Sequence, residues 1–434
     1  MGKGQDLWKT AKTVIPGGNM LLSKRPEMFL PEQWPAYFSR AAGCRVWDLD
    51  GREYIDMSIM GIGCNTLGYG RPEVDDAVKR TVDLGNMATL NAPEEVELAQ
   101  RMIGLHPWAD MARFARSGGE ANAISIRIAR AASGKDGVAL CGYHGWHDWY
   151  LASNLGDESK LAGHLLPGLS PNGVPKSLRG SVFTFNYNKL DELEALIRKE
   201  EIGVIKMEVS RNYDPDPGFL VSVRKLADQH NIILIFDECT SGFRQAFGGL
   251  HKVYGVDPDM AVFGKALGNG YAVTGVIGKR DIMEAAQNTF ISSTFWTERI
   301  GSVAALATLD VMEKEQSWQK ITDTGRAITA RWQALGQKYG LPLSTAGVPA
   351  LTGFSIKSPN GLAYKTLITQ EMLAAGYFAA TSVYTCIEHT PEIVDGYFAA
   401  LEPIFKTIRE CEDGRDVKAL LKGPVAHSGF TRLN

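Results

Sequence analysis

The chain has 434 residues, 44% hydrophobic and 22% charged, which is ordinary globular composition and excludes a disordered or fibrous protein. Its 46 Lys+Arg against 49 Asp+Glu leave a net charge of -3 without a basic block, so the electrostatic footprint of a nucleic-acid binder is missing and a small-molecule partner is expected. Six cysteines without a C-x-x-C pair argue against a disulfide framework or a cysteine zinc site.

The opening MGKGQDLWKTAK lacks the apolar stretch of a signal peptide, and Asp6 stands where a myristoylation signal requires Ser or Thr. No apolar run approaches the roughly 20 residues a membrane helix needs. A soluble, cytoplasmic protein without a membrane partner is the expectation. Residues 44–56, CRVWDLDGREYID, read as a hairpin, because Asp50-Gly51 supplies a positive-φ turn between alternating segments.

From Pro72 the pattern becomes helix and strand in alternation. Helices are predicted at 72–85, 93–105, 118–133, 189–200 and 219–230. Strands are predicted at 111–115, 137–141, 181–185, 203–208, 232–238, 260–264 and 273–278. That alternation implies an α/β fold with a mostly parallel sheet flanked by helices, and strands apolar throughout are buried on both faces. Ligands of such sheets bind beyond the carboxyl ends of the strands. Residues 150–179, rich in Gly, Pro and Ser, read as a long functional loop. Long helices at 316–338, 360–375 and 391–411 with a short sheet between them suggest a smaller C-terminal subdomain. The expected division is 1–65 contributing to a small domain, 66–315 as the large domain, and 316–434 completing the small one.

The strand IILIFDE carries two carboxylates out of an apolar run, and Asp237 needs a cationic partner to offset its desolvation. A magnesium-nucleotide strand would require a G-x-x-x-x-G-K-[ST] loop, which the chain lacks. The alternative partner is a protonated pyridine nitrogen, since a pyridoxal ring is an electron sink only while that nitrogen keeps its proton. Such a cofactor needs a desolvated lysine, and FGKALGNGYAV offers Lys265 directly after an apolar strand. A snorkelling lysine at a strand end is the competing reading. Ser117-Gly118-Gly119-Glu120, between a strand and a helix, fits an anion at the positive helix end, although glycines also begin helices for steric reasons. In CGYHGWHDW the spacing Cys141-x-x-His144-x-x-His147 has no fourth ligand nearby and matches no common zinc pattern, so no metal is expected. Tyr143 is better used as a stacking face for a flat ring.

With these elements in this order the chain resembles the class III pyridoxal-phosphate aminotransferases, and within them the glutamate-1-semialdehyde aminomutase branch. The resemblance covers nearly the whole chain. It rests on IPGG (15–18), WDLDGREYID, RSGGEANAISIRIARA (116–131), GYHGWHD, IFDECTSGFR (235–244), YGVDPDMAVFGKALGNG (254–270) and SSTFWTERIG (292–301). It implies the type I pyridoxal-phosphate fold, with a small domain built from both chain ends. Lys265 is then the Schiff-base lysine and proton shuttle, and Asp237 pairs with the pyridine nitrogen. Tyr143 stacks on one face of the ring, while Cys239, where the family usually has an aliphatic residue, lies against the other. Ser117, Gly118 and Gly119 hold the phosphate, and His144 belongs to the same cofactor-binding set. Thr294 reaches the phosphate of the neighbouring subunit, which implies a homodimer with shared active sites. Glu208 matches the family's Glu-Pro strand end, with Val209 in place of the proline.

Departures from the aminomutase pattern bear on the substrate. Ser-Gly-Gly replaces Ser-Gly-Thr, and Ser-Thr-Phe-Trp-Thr-Glu-Arg replaces the usual Gly-Thr-Leu-Ser-Gly-Asn-Pro. Lys24 or Arg25 stands near the place of the family's carboxylate-binding arginine, but offset. Trp34, Trp146, Phe295 and Trp296 add bulky surface suited to a substrate with a ring or polyol chain, and dimer packing would use them equally. The resemblance narrows to bacterial aminotransferases acting on sugar-derived carbonyls, with the 8-amino-3,8-dideoxy-manno-octulosonate transaminase subgroup as the nearest. It implies glutamate as donor and the C8 aldehyde of an octulosonate for lipopolysaccharide as acceptor. An intramolecular aminomutase and a non-catalytic scaffold of the same fold remain as alternatives.

Overall fold

The computed structural model describes residues 2–429 except 165, 166 and 211. The chain divides into two compact units, Met1–Arg71 together with Gln319–Asn434, and Pro72–Trp318. Helix α1 (Lys3–Val14) buries Trp8 and Ala11. Strands β1 (Phe38–Ala42), β2 (Arg45–Asp48) and β3 (Glu53–Met57) follow as an antiparallel meander. The expected hairpin forms: Gly51 has φ +81°, and Asp48 Oδ1 accepts the backbone amides of Asp50 and Arg52, both at 2.9 Å.

The central unit is built from α2 (Pro72–Leu84), α3 (Pro93–Leu105), β4 (Met111–Ala115), α4 (Gly118–Ser133), β5 (Gly137–Cys141), β6 (Val182–Thr184), α5 (Leu190–Lys199), β7 (Ile202–Glu208), α6 (Phe219–Gln229), β8 (Ile233–Glu238), β9 (Met260–Phe263), β10 (Thr274–Gly278) and α7 (Arg299–Glu315). Its seven strands are ordered β4-β10-β9-β8-β7-β5-β6. The run from β9 to β6 is parallel, and β10 lies antiparallel to both β4 and β9. Every residue of β5, β7, β8 and β9 is buried, as strands covered by helices on both faces must be. The loop after β5 is anchored rather than loose. Tyr150, Leu161 and Val174 join the apolar core, and Asn154 accepts the Leu161 amide at 3.0 Å while donating to Leu169 O at 2.8 Å.

The C-terminal part supplies α8 (Ser317–Lys338), β11 (Leu343–Ala346), β12 (Leu351–Ile356), α9 (Gly361–Ala374), β13 (Tyr377–Ala379), β14 (Ser382–Tyr384) and α10 (Pro391–Glu412). β13 pairs in parallel with β3, so the N-terminal meander is completed by a strand more than 300 residues later. The remaining three form a separate sheet, β11-β12-β14. The core of this unit centres on Trp332, Tyr364, Tyr397 and Phe405, and the Trp332 indole N–H donates to the Tyr397 hydroxyl at 3.1 Å. Among the described residues, no helix is long and apolar enough to cross a membrane.

Candidate active site

The parallel register aligns the chemistry at one sheet edge. Glu208 stands opposite Asp237, and Asp237 opposite Val262, so β7, β8 and β9 end side by side. Glu208, Asp237, Cys239 and Lys265 lie at or just past these carboxyl ends and Tyr143 just past that of the neighbouring β5, where open parallel sheets hold ligands.

Asp237 is 1% exposed and fully engaged. His144 Nδ1 lies 2.7 Å from its Oδ2, and the Cys239 amide donates to its Oδ1 at 3.0 Å. Burial opposes its ionisation, but the His144 hydrogen bond and charge, the Lys206 charge and the Cys239 amide outweigh that and hold its carboxyl well below the usual range. His144 Nε2 faces Cys141 O at 3.1 Å, so both ring nitrogens point at acceptors. A carboxylate kept ionised in an apolar sheet suits a cationic ring nitrogen.

Lys265 opens a single turn directly after β9 and has φ +45°, a left-handed conformation that is costly for a residue with a side chain. Its Nζ donates to Thr240 Oγ1 at 2.7 Å. A Cβ on the preceding Gly264 would sit 3.0 Å from Thr274 Cγ2 and 3.3 Å from Cys239 Sγ, so the backbone passes close under the cysteine. Cys239 Sγ also lies 3.6 Å from the position of a Cβ on Gly118, which puts the thiol between the two glycine segments.

Ser117 caps α4 in a capping box. Glu120 Oε2 accepts the Ser117 and Arg116 amides at 2.8 and 3.1 Å. The first-turn amides of Gly118 and Gly119 have no acceptor within the helix. A Cβ on Gly119 would fall 2.7 Å from His147 Cε1, so the loop after β5 closes on bare backbone there. Arg116 ties the 294–298 segment to this turn, pairing with Glu298 at 2.7 Å and donating to Trp296 O and Glu298 O at 2.9 and 2.8 Å. Thr294 begins a short turn in that segment and is exposed in the single chain.

Tyr143 is held from behind, its amide donating to Glu208 Oε2 at 3.0 Å, and its ring meets Tyr150 edge-on at 5.9 Å. Trp146 stacks on His147 and is 70% exposed. Among the described residues no group of three His, Cys, Asp or Glu side chains could hold a metal, Cys141, His144 and His147 included. Lys24, Arg25 and Trp34 belong to the other unit. There Lys24 exerts its charge on buried Asp56, and Arg25 Nη2 would lie 2.5 Å from a Cβ on Gly17. Trp34 stacks on Phe29 at 4.6 Å with Phe378 at 4.9 Å, an aromatic packing cluster.

The sequence reading did not single out Lys206, Thr240 or the Arg116–Glu298 pair. Lys206 is 0% exposed in the middle of β7, and a charge inside an otherwise apolar strand was its available signal. Thr240 had none, because its contact with Lys265 spans 25 residues.

This sheet, with an ionised carboxylate, a strand-end lysine and a glycine-rich helix start at one edge, is the fold of the type I pyridoxal-phosphate enzymes. The protein FumI of Sphingopyxis sp. MTA144, solved as its pyridoxal-phosphate internal aldimine, superimposes with a TM-score of 0.84 at 25% identity, covering 97% of this chain and 100% of that one. The chain belongs to the class-III aminotransferase family, whose profile matches residues 31–392. It is 33% identical to the 3-aminobutyryl-CoA aminotransferase of Cloacimonas acidaminovorans over 90% of this chain and 94% of that protein. It is 29% identical to the glutamate-1-semialdehyde 2,1-aminomutase of Hyperthermus butylicus over 93% of this chain and 99% of that protein. It is an aminotransferase, and pyridoxal phosphate is its cofactor. The residues present fit that group: a buried anion, an amine at the strand end, and a helix start whose glycines leave no room for a Cβ on Gly119.

Proposed function

We propose that the enzyme transfers an amino group from glutamate to the carbonyl of a bulky, polyhydroxylated acceptor, with an octulosonate C8 aldehyde as the specific candidate. The observation that carries the catalytic part is the buried Asp237 carboxylate, held ionised beside the Lys265 strand end. Pyridoxal phosphate, when bound, supplies an electron sink that makes an amino-acid α-proton removable. Asp237 keeps the ring nitrogen protonated, and His144 keeps Asp237 ionised and oriented. Lys265 would hold the cofactor through its amine and, with that amine free, would take up and return the substrate's α-proton. Thr240 orients its amine from 2.7 Å.

Tyr143 covers one ring face, with Glu208 fixing its backbone, and Cys239 lines the other. The amides of Gly118 and Gly119, at the positive end of a 16-residue helix capped by Ser117, hold the phosphate. Thr294, exposed in the single chain, completes the phosphate site of a second copy in a homodimer. The large exposed rings of Trp146 and Phe295 support an acceptor with a ring or polyol chain.

Mixing the holoenzyme with glutamate tests the donor half of this reading. The visible cofactor absorbance should fall as one equivalent of 2-oxoglutarate appears, and a band that glutamate leaves unchanged would reject glutamate as donor. A second reading, an intramolecular aminomutase, is favoured by the aminomutase relative. Under it no keto product would be released, and an amino aldehyde would isomerise without an added donor.

A further inference from the structure

Lys206 has no part in the reaction just described, yet it is a fully buried lysine in the central strand β7, all seven residues of which are buried. Its Nζ donates to Ser125 Oγ at 3.0 Å, on the helix α4 whose first turn is Ser117-Gly118-Gly119. Partner residues in adjacent parallel strands point to the same face. Lys206 faces Ile235, and Glu208 faces Asp237. Lys206, Glu208 and Asp237 therefore lie on one side of the sheet, two residues apart along its strands.

An ammonium without water costs several kcal/mol unless an anion compensates, and a hydroxyl alone does not. Burial brings the Lys206 amine down to about 8, against the opposing pull of Asp237 and then Cys239. A packing role would be filled as well by Met or Leu. The charge is what this position adds.

We infer that Lys206 is a positioning residue for the transamination, its ammonium sharing the Asp237 carboxylate with the ring nitrogen of the bound cofactor and so setting how firmly that nitrogen keeps its proton. This rests on the cofactor reading above. The titratable groups around Asp237 are His144 from the turn after β5, Lys206 and Glu208 from β7, Cys239 from the end of β8 and Lys265 from the turn after β9. α4 contributes the uncharged Ser125. Two cations placed around one carboxylate lower each other's proton affinity. Lys206 thereby weakens the grip of the cofactor on its protons, and removing its charge strengthens it.

The test uses the full chain, wild type and Lys206→Met, Lys206→Gln and Ser125→Ala, each loaded with pyridoxal phosphate carrying nitrogen-15 in the ring and titrated through the NMR shift of that nitrogen. Both neutral replacements should move the pH midpoint of that shift upward by about one unit. Ser125→Ala, which keeps the ammonium, should titrate with the wild type. Unmoved midpoints in the Met and Gln variants would overturn the inference. So would a Ser125→Ala shift as large as theirs, because packing rather than charge would then be the cause. A wild-type protein that takes up no pyridoxal phosphate would overturn the cofactor reading itself, and that failure is seen before any variant is compared.

Discussion

His144 Nδ1 lies 2.7 Å from Asp237 Oδ2, a contact between two buried side chains 93 residues apart that keeps the carboxylate ionised at the end of β8. Asp237→Asn preserves the shape and removes the charge. It should lower turnover by about a hundredfold or more, as loss of a preorganised electrostatic group does, and also lower the melting temperature, because the buried His144 loses its anionic partner. Steady-state kinetics beside a melting curve checks both halves.

The same contact has a pH signature. Asp237 has a lowered folded-state pKa, so the stability it contributes is present above the unfolded carboxylate value and is lost only as pH falls through the lower folded one. His144→Asn removes the main cause of that lowering. Its acid unfolding, followed by circular dichroism, should begin at a higher pH than in the wild type.

Lys206 carries the opposite sign from an ordinary lysine. Its folded value of about 8 lies below the unfolded 10.5, so the unfolded chain binds more protons between the two and wild-type stability rises with pH across that window. The stability difference between wild type and Lys206→Met should shift toward the wild type by roughly 3 kcal/mol from pH 8 to pH 10.5. Urea denaturation at both ends of the window measures it.

Gly119 and Gly104 make a contrasting pair. A Cβ on Gly119 would fall 2.7 and 2.8 Å from the His147 ring, whereas one on Gly104 meets nothing within 4 Å. Gly119→Ala should cost about 1–3 kcal/mol and weaken pyridoxal-phosphate binding. Gly104→Ala, in helix α3, should stabilise by up to about 1 kcal/mol and leave binding alone. Melting curves and equilibrium dialysis separate the two.

The fold was largely legible because its strands are apolar throughout and its helices begin on Pro or Gly, as at Pro72, Pro93 and Gly118. Strand direction was not legible. β10 reads like its neighbours but runs antiparallel, and periodicity carries no sense of direction. Helix α1 lay unread within a segment searched only for targeting signals, and α7 lay behind the SSTFWTERIG motif. Asp237 and Lys265 stood out because a charge leaving an apolar strand demands an explanation. Lys206 meets the same criterion inside GVIKME, but there the surrounding apolar residues made the run read as uniformly buried strand. Thr240 and Arg116 act through contacts of 25 and 182 residues' separation, which only the folded chain reveals.

The central claim is that Lys265 carries the cofactor. Borohydride reduction of the loaded protein, followed by proteolysis and peptide mass spectrometry, locates the attachment directly. The pyridoxyl group should be found on the peptide containing Lys265, with no label in Lys265→Ala; a label on another lysine, or none on the wild type, would contradict the account.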